Sequence, residues 1–258
     1  MTPKAGCLKA LTPTLEGDMD TIPLTIPQCG MVRHLSERHW DMVVNRCGGV
    51  RSYERGEVIC EHLNRLEESL LVLEGMIGRH IPNVHAERNH LVAVEVPGDF
   101  ADLHAFPLKR LDHDVVALST TKVAVFSHKD LRELIDGEPA LARELWALTL
   151  VDAAIHRHWA YRTGALRALA NVANLLAELD IRLRSGGVEE AADGLPLQLT
   201  QTDIGDACGL SSVHVNRVLR ELREANCARL GGGRLQVLDR AALHRVGNFD
   251  PSYLYLPD

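Results

Sequence analysis

The sequence predicts an α+β chain: an antiparallel β-roll (a jelly roll), then one long amphipathic helix, then a winged helix-turn-helix. Three observations predict it. Short apolar segments recur between turns from Val50 to Ser127, a spacing that suits antiparallel strands better than βαβ units. An uninterrupted amphipathic pattern runs from Pro139 to about Arg162. Residues 199–238 then carry two capped helical segments joined by Gly209, followed by two short strand candidates around Gly231-Gly232-Gly233.

Residues 1–30 contain Pro3, Pro13, Pro23 and Pro27 without a sustained period and read as a loosely docked arm. Ser36 can cap a short helix ending near Val44. The roll, placed at 31–137, takes its strands from Val58–Cys60, Leu70–Leu73, Ile77–Ile81, Leu91–Val96, Val115–Leu118 and Val123–Phe126. A helix over His128–Asp136 closes it before Gly137-Glu138-Pro139. In the long helix, placed at 138–163, Leu141, Leu145, Leu148, Asp152, Ile155 and Trp159 step by four and three. That is the spacing of a coiled-coil seam with one polar member, so these six are expected in a parallel dimer interface, the alternative being packing on the chain's own sheet. Gly164 is expected to break the pattern before a second helix, Ala165–Arg184, which opens the last unit, 164–258.

Within that unit Thr200 can cap the first helix, with Asp203 three residues on where a capping-box acid reaches back. Gly209 supplies the turn and Ser211 caps the second helix. Val215, Val218, Leu219 and Leu222 form its buried stripe, so Val213, Asn216, Arg217 and Arg220 face outward. A methyl-bearing residue, an amide and two guanidiniums suit the edges of bases in a major groove. Thr200, Ser211, Ser212, Val213, His214, Asn216, Arg217 and Arg220, with Arg229 and Arg234 in the wing, are the candidate DNA contacts. Asp239 caps a last short helix.

The 258 residues carry a formal charge of −7, which argues against a protein that coats nucleic acid indiscriminately. Between Ser211 and Arg234, however, five arginines face two glutamates, a local surplus of three, as expected of a local, salt-sensitive reader. No run approaches the ~18 apolar residues of a membrane helix, and the first residues lack a secretory pattern. The expectation is a cytoplasmic protein whose six scattered cysteines are reduced.

Roll, long helix, hinge and winged helix-turn-helix, in that order, resemble the Crp/Fnr family of bacterial transcription regulators from about Met31 onward. The likeness rests on Glu74-Gly75, Pro97-Gly98-Asp99-Phe100, the long helix, and above all Leu199-Thr200-Gln201 through Arg217. It implies a homodimer on a two-fold symmetric operator, with RNA polymerase as a partner if it activates. Members that bind cyclic nucleotides place a Gly-Glu after Gly-Asp-Phe, and an Arg-Ser or Arg-Thr pair on the following turn. Here those places hold Ala101-Asp102 and His113-Asp114, with Asp112 beside them. Asp102, His104, Asp112, His113 and Asp114 are therefore read as a degenerate ligand pocket, in which a phosphate would meet carboxylates. In the recognition helix the family's usual glutamate is replaced by Val213, while its arginine stands at Arg217.

No metal or other cofactor is expected. Of 13 histidines, His80, His85 and His90 cannot converge on one strand unless a turn near Asn83 or Asn89 intervenes. His156 and His158 stand about 200° apart around a helix. Haem, a metal or another small ligand stays as the alternative signal. Cys7 and Cys29 are too far apart for the cysteine cluster of an iron–sulfur site, and Cys208 reads as a packed residue rather than a redox thiol. No glycine-rich phosphate loop, G-x-S-x-G elbow or zinc-protease motif supports an enzyme, and a roll-domain metalloenzyme is the remote alternative.

Overall fold

The computed structural model describes residues 31–82 and 90–256. The arm expected over 1–30, including Cys7 and Cys29, lies outside these residues, as do Asn83, His85 and Asn89. A single 3-10 turn, Met31–His34, leads into α1 (Glu37–Val44), whose Ser36 cap accepts from His39 N at 3.4 Å.

Two antiparallel sheets make the roll. One holds β1 (Cys47–Tyr53), β7 (Thr121–Ser127) and β3 (Glu68–Glu74) in that order. The other holds β2 (Val58–Cys60), β6 (Asp114–Ala117), β4 (Ile77–Ile81) and β5 (His90–Glu95). Leu70, Val72, Ile77, Val115, Val123 and Val125 fill the space between them. The alternation of inward apolar residues is the physical reason these segments pair. β1 was not legible in the sequence. It opens on Gly48-Gly49, its register against β7 shifts between Cys47 and Val50, and no residue of it is buried. The helical turn α2 (Ala105–Leu108) lies in the β5–β6 connection.

After α3 (His128–Gly137), α4 runs from Pro139 to Ala165. Gly164 stays inside it; the break falls at Leu166-Arg167, and α5 follows as Ala168–Ser185. From Asn171 to Asp180 every residue of α5 is buried, which makes it the hub joining roll, long helix and DNA unit.

Leu141, Leu145, Leu148, Ile155 and Trp159 are at most 5% exposed and belong to the chain's own core. Asp152 grips Arg79 of β4 through both carboxylate oxygens, at 2.9 and 3.0 Å. The expected seam is thus corrected: that face packs on the roll and α5, and its acid neutralises a buried guanidinium. A three–four step marks a buried stripe, and cannot say whose surface buries it. The unburied line of α4 is Arg143, Trp146, Leu150, Arg157 and Tyr161, with Trp146 63% and Leu150 52% exposed.

Charged groups extend this junction inward. Arg182 of α5 reaches Asp99 at 2.7 Å, Glu178 at 3.0 Å and Glu95 at 3.4 Å. Glu178 also accepts from Trp159 Nε1 at 2.9 Å and from the Tyr253 hydroxyl at 2.7 Å. The chain of pairs therefore links the roll to α4, to α5 and to the 3-10 turn Pro251–Leu254.

Candidate nucleic-acid interface

The first helix of the reader, α6 (Gln201–Cys208), begins with a complete capping box: Thr200 Oγ1 accepts from Asp203 N, and Asp203 accepts from Thr200 N. Arg55 of the roll binds the same carboxylate at 2.5 Å and the Gln198 carbonyl at 3.0 Å, and α6 packs against β5. Gly209 takes φ 65° to turn the chain, which favours glycine because that region is strained for other residues. α7 (Ser212–Glu224) starts on Ser211, whose hydroxyl accepts from His214 N at 3.3 Å. Gly205 lets the helices close: a Cβ there would sit 2.5 Å from the Leu210 carbonyl oxygen.

Val215, Val218 and Leu222 are buried, which fixes the rotation of α7 about its axis. Ser212, Val213, His214, Asn216, Arg217 and Arg220 are exposed, Val213 at 74%. A wing stands beside α7: β9 (Ala228–Gly231) pairs with β10 (Arg234–Val237), and β8 (Leu195–Pro196) adds a third strand that the sequence did not announce. Gly232 and Gly233 make the turn at positive φ, and α8 (Arg240–Gly247) follows, capped by Asp239.

Between α7 and the wing lies a hollow of about 380 Å³, lined by Gln201, Asn216, Leu219, Arg220, Arg223, Arg229 and Arg234, with Asp193 at its edge. Four guanidiniums against one carboxylate make it an anion-attracting surface. Among the lining residues that were not sequence candidates are Gln201 and Arg223. Arg223 stands three residues beyond Arg220, a helical step that could have drawn attention to it. Arg234 differs from expectation: it is half-buried, held by Asp193 at 2.6 Å and the Gly194 carbonyl at 2.5 Å, so it braces the wing's base. Arg229 is exposed on β9.

The degenerate ligand pocket is only partly assembled. His104 and His113 face each other with ring centroids 5.5 Å apart, and Asp112 holds His113 Nδ1 at 2.8 Å. Burial depresses both imidazoles, His104 to about 4. Asp102 points elsewhere, accepting from Leu70 N at 2.7 Å, and burial pushes it up to about 7. Asp114 accepts from His62 N at 2.9 Å. Arg79, missed in the sequence, stands in the middle, wholly buried against Asp152, Glu95 and the Ala101 carbonyl. The void left between Arg79, Phe100, His104, Leu148 and Asp152 is about 10 Å³, room for about one water.

Among the described residues no group of three His, Cys, Asp or Glu is placed to hold a metal ion. Ile81 pairs with His90 in the antiparallel pair β4–β5, so His80 and His90 stand on neighbouring strands and not on one. Cys208 is buried, which lifts its thiol to about 11 and keeps it protonated and unreactive. No helix among the described residues is long and apolar enough to cross a membrane.

A capped helix pair with an exposed basic second helix, flanked by a wing, defines a winged helix-turn-helix regulator. Comparison with known proteins agrees. Residues 170–246 match the Crp-like helix-turn-helix domain. The chain is 24% identical over 189 residues to the transcriptional activator protein FnrL of Cereibacter sphaeroides, covering 71% of this chain and 74% of that one. It is 25% identical over 194 residues to the nitrogen fixation regulation protein FixK of Bradyrhizobium diazoefficiens, covering 75% and 80%. The structure of FixK2 from Bradyrhizobium japonicum superposes with a TM-score of 0.66 at 25% identity, over 76% of this chain and 96% of that one. The chain as a whole is thus similar in sequence and fold to Crp/Fnr regulators; the likeness is to DNA-binding transcription regulators, not to enzymes.

Proposed function

We propose that two copies bind an inverted-repeat operator, each laying α7 in a major groove, and that cyclic nucleotides do not control them. The observation that carries the reading is the exposed stripe Val213, Asn216, Arg217 and Arg220 beside a hollow lined by guanidiniums. Arg217 suits a guanine, whose O6 and N7 match its planar fork, and Val213 suits a thymine methyl. Arg220, Arg223 and Arg229 suit the phosphates that fix register without reading sequence.

The second copy takes the outer line of α4. Arg143, Trp146, Leu150, Ala153 and Arg157 step by three and four, and Trp146 and Leu150 are large apolar side chains left in water. Beside His104 of the degenerate pocket the roll and α4 are packed around the Arg79–Asp152 pair, with space for little more than a water. A phosphate there would have to displace Asp152 from the guanidinium. No cofactor is needed for this reading, and RNA polymerase joins as a partner if the regulator activates.

Selection of bound sequences from random duplex DNA supplies the operator. Binding of wild type and Arg217→Ala to every single-base variant, at two salt concentrations, then tests the reading. The expected result is a loss of about 1–3 kcal/mol with relaxed preference at one symmetric base pair of each half-site. A uniform loss across all variants would make Arg217 a phosphate anchor. Micromolar binding of cyclic AMP or cyclic GMP in a calorimetric titration would overturn the ligand statement.

A further inference from the structure

The side chains of Gln201 and Asn216 are exposed on different helices of the reader, yet Asn216 Nδ2 donates to Gln201 Oε1 at 3.4 Å. Both ends of this bond are fixed from below. Gln201 is the first residue of α6, inside the capping box that Thr200 and Asp203 close around it, and Arg55 holds that box from the roll. Asn216 lies next to buried Val215 and two residues before buried Val218, so its direction from α7 is set by the core. It points to the hollow beside Arg220, with Arg217 as its neighbour in the outward stripe.

An amide bonded to a second amide uses one donor and one acceptor between them. Whichever way the two carboxamides are assigned, donor and acceptor capacity remains on the outer side. An outward carboxamide held in one plane matches adenine, which offers N7 as acceptor and N6 as donor in the major groove. An unsupported asparagine on an exposed helix would lose rotamer freedom on binding. Here the bond to Gln201 restricts it beforehand.

We propose that Gln201 is a positioning residue, which orients the Asn216 carboxamide to read an adenine beside the base pair taken by Arg217. The inference rests on the proposed base-reading role of α7, and makes α6 a contributor to sequence preference without touching a base.

The test measures wild type, Asn216→Ala, Gln201→Ala, Gln201→Glu and the double alanine variant on all single-base variants of the selected operator. Thermal melts of each confirm folding, which neither exposed position should disturb. Asn216→Ala should flatten an adenine preference at one symmetric position, a loss of about fivefold to a hundredfold in discrimination. Gln201→Ala should flatten the same position and no other, and the double variant should match Asn216→Ala alone, because the two residues act as one unit. Gln201→Glu keeps an acceptor for Nδ2, so it should weaken all operators through its charge while the base preference returns.

Two outcomes separate the failures. If Asn216→Ala flattens the position and Gln201→Ala leaves it intact, or weakens every operator alike, Gln201 is a phosphate contact and the positioning role is wrong. If Asn216→Ala itself weakens all operators equally, base reading at Asn216 fails, and this inference falls with it.

Discussion

Replacing Arg182 with methionine should be among the most damaging single changes in this protein, although Arg182 touches no proposed DNA contact. Its guanidinium is buried and serves three carboxylates on two parts of the chain: Asp99 at 2.7 Å and Glu95 at 3.4 Å in the roll, and Glu178 at 3.0 Å in α5. Methionine keeps much of the stem's volume and removes the charge. Glu178 retains Trp159, Tyr253 and, at 3.8 Å, Arg162, and Glu95 retains Arg79 at 3.2 Å, but buried Asp99 loses its cation and keeps Val96 N. Breaking a buried pair in this way costs about 3–5 kcal/mol. At about 2–4 °C per kcal/mol for a chain of this size, the melting temperature should fall by about 6–20 °C. The defect should shrink toward pH 5, because acids deprived of a cation hold protons more tightly when folded, and that stabilisation is lost as pH rises. Thermal unfolding at pH 5 and pH 8, with hydrogen exchange across 171–183, measures both. A fall under about 2 °C at pH 8, or an equal fall at both pH values, would refute the reasoning.

Burial raises Glu95 from 4.5 to about 8 and Asp102 from 3.8 to about 7, so each folded carboxyl binds a proton the unfolded chain releases. Their contribution is complete below about pH 4 and lost as pH climbs through 7 and 8, and Glu95→Gln should flatten that slope in pH-dependent melts. Asp152→Leu should destabilise the fold by up to about 3–5 kcal/mol by taking from buried Arg79 the carboxylate at its Nη1 and leaving it Glu95 alone; a rise in melting temperature would count against the pair. Leu150→Asp should shift the sedimenting mass from dimer to monomer while melting stays cooperative, whereas an unchanged mass would move the interface off the outer line of α4. Arg229→Ala should weaken all operator variants alike and reduce the salt slope by about one; a base-specific change would place Arg229 in a groove.

Local rules carried the reader. Thr200, Gly209, Ser211 and Asp239 each act within three residues of themselves, so caps and turn could be placed from the chain alone and stand where expected. The α7 stripe followed for the same reason, since helical spacing fixes which residues share a face. The edge strand β1 and the two-residue β8 escaped, because a bulged glycine-rich strand and a strand of two residues have no alternation to read. Arg79, Glu95, Arg182 and Glu178 drew no reading from the sequence, because their mutual burial joins partners up to 87 residues apart.

By itself, then, the sequence determined the order of the parts, the caps and turn of the reader, and the residues α7 turns outward, because each is set by backbone geometry over a few residues. Only the tertiary structure decided which face of α4 the chain keeps for itself. The stripe from Leu141 to Trp159 and the outer line through Trp146 and Leu150 both repeat by threes and fours. The choice between them rests on what the roll and α5 present to the helix: an apolar wall, and Arg79 waiting for Asp152.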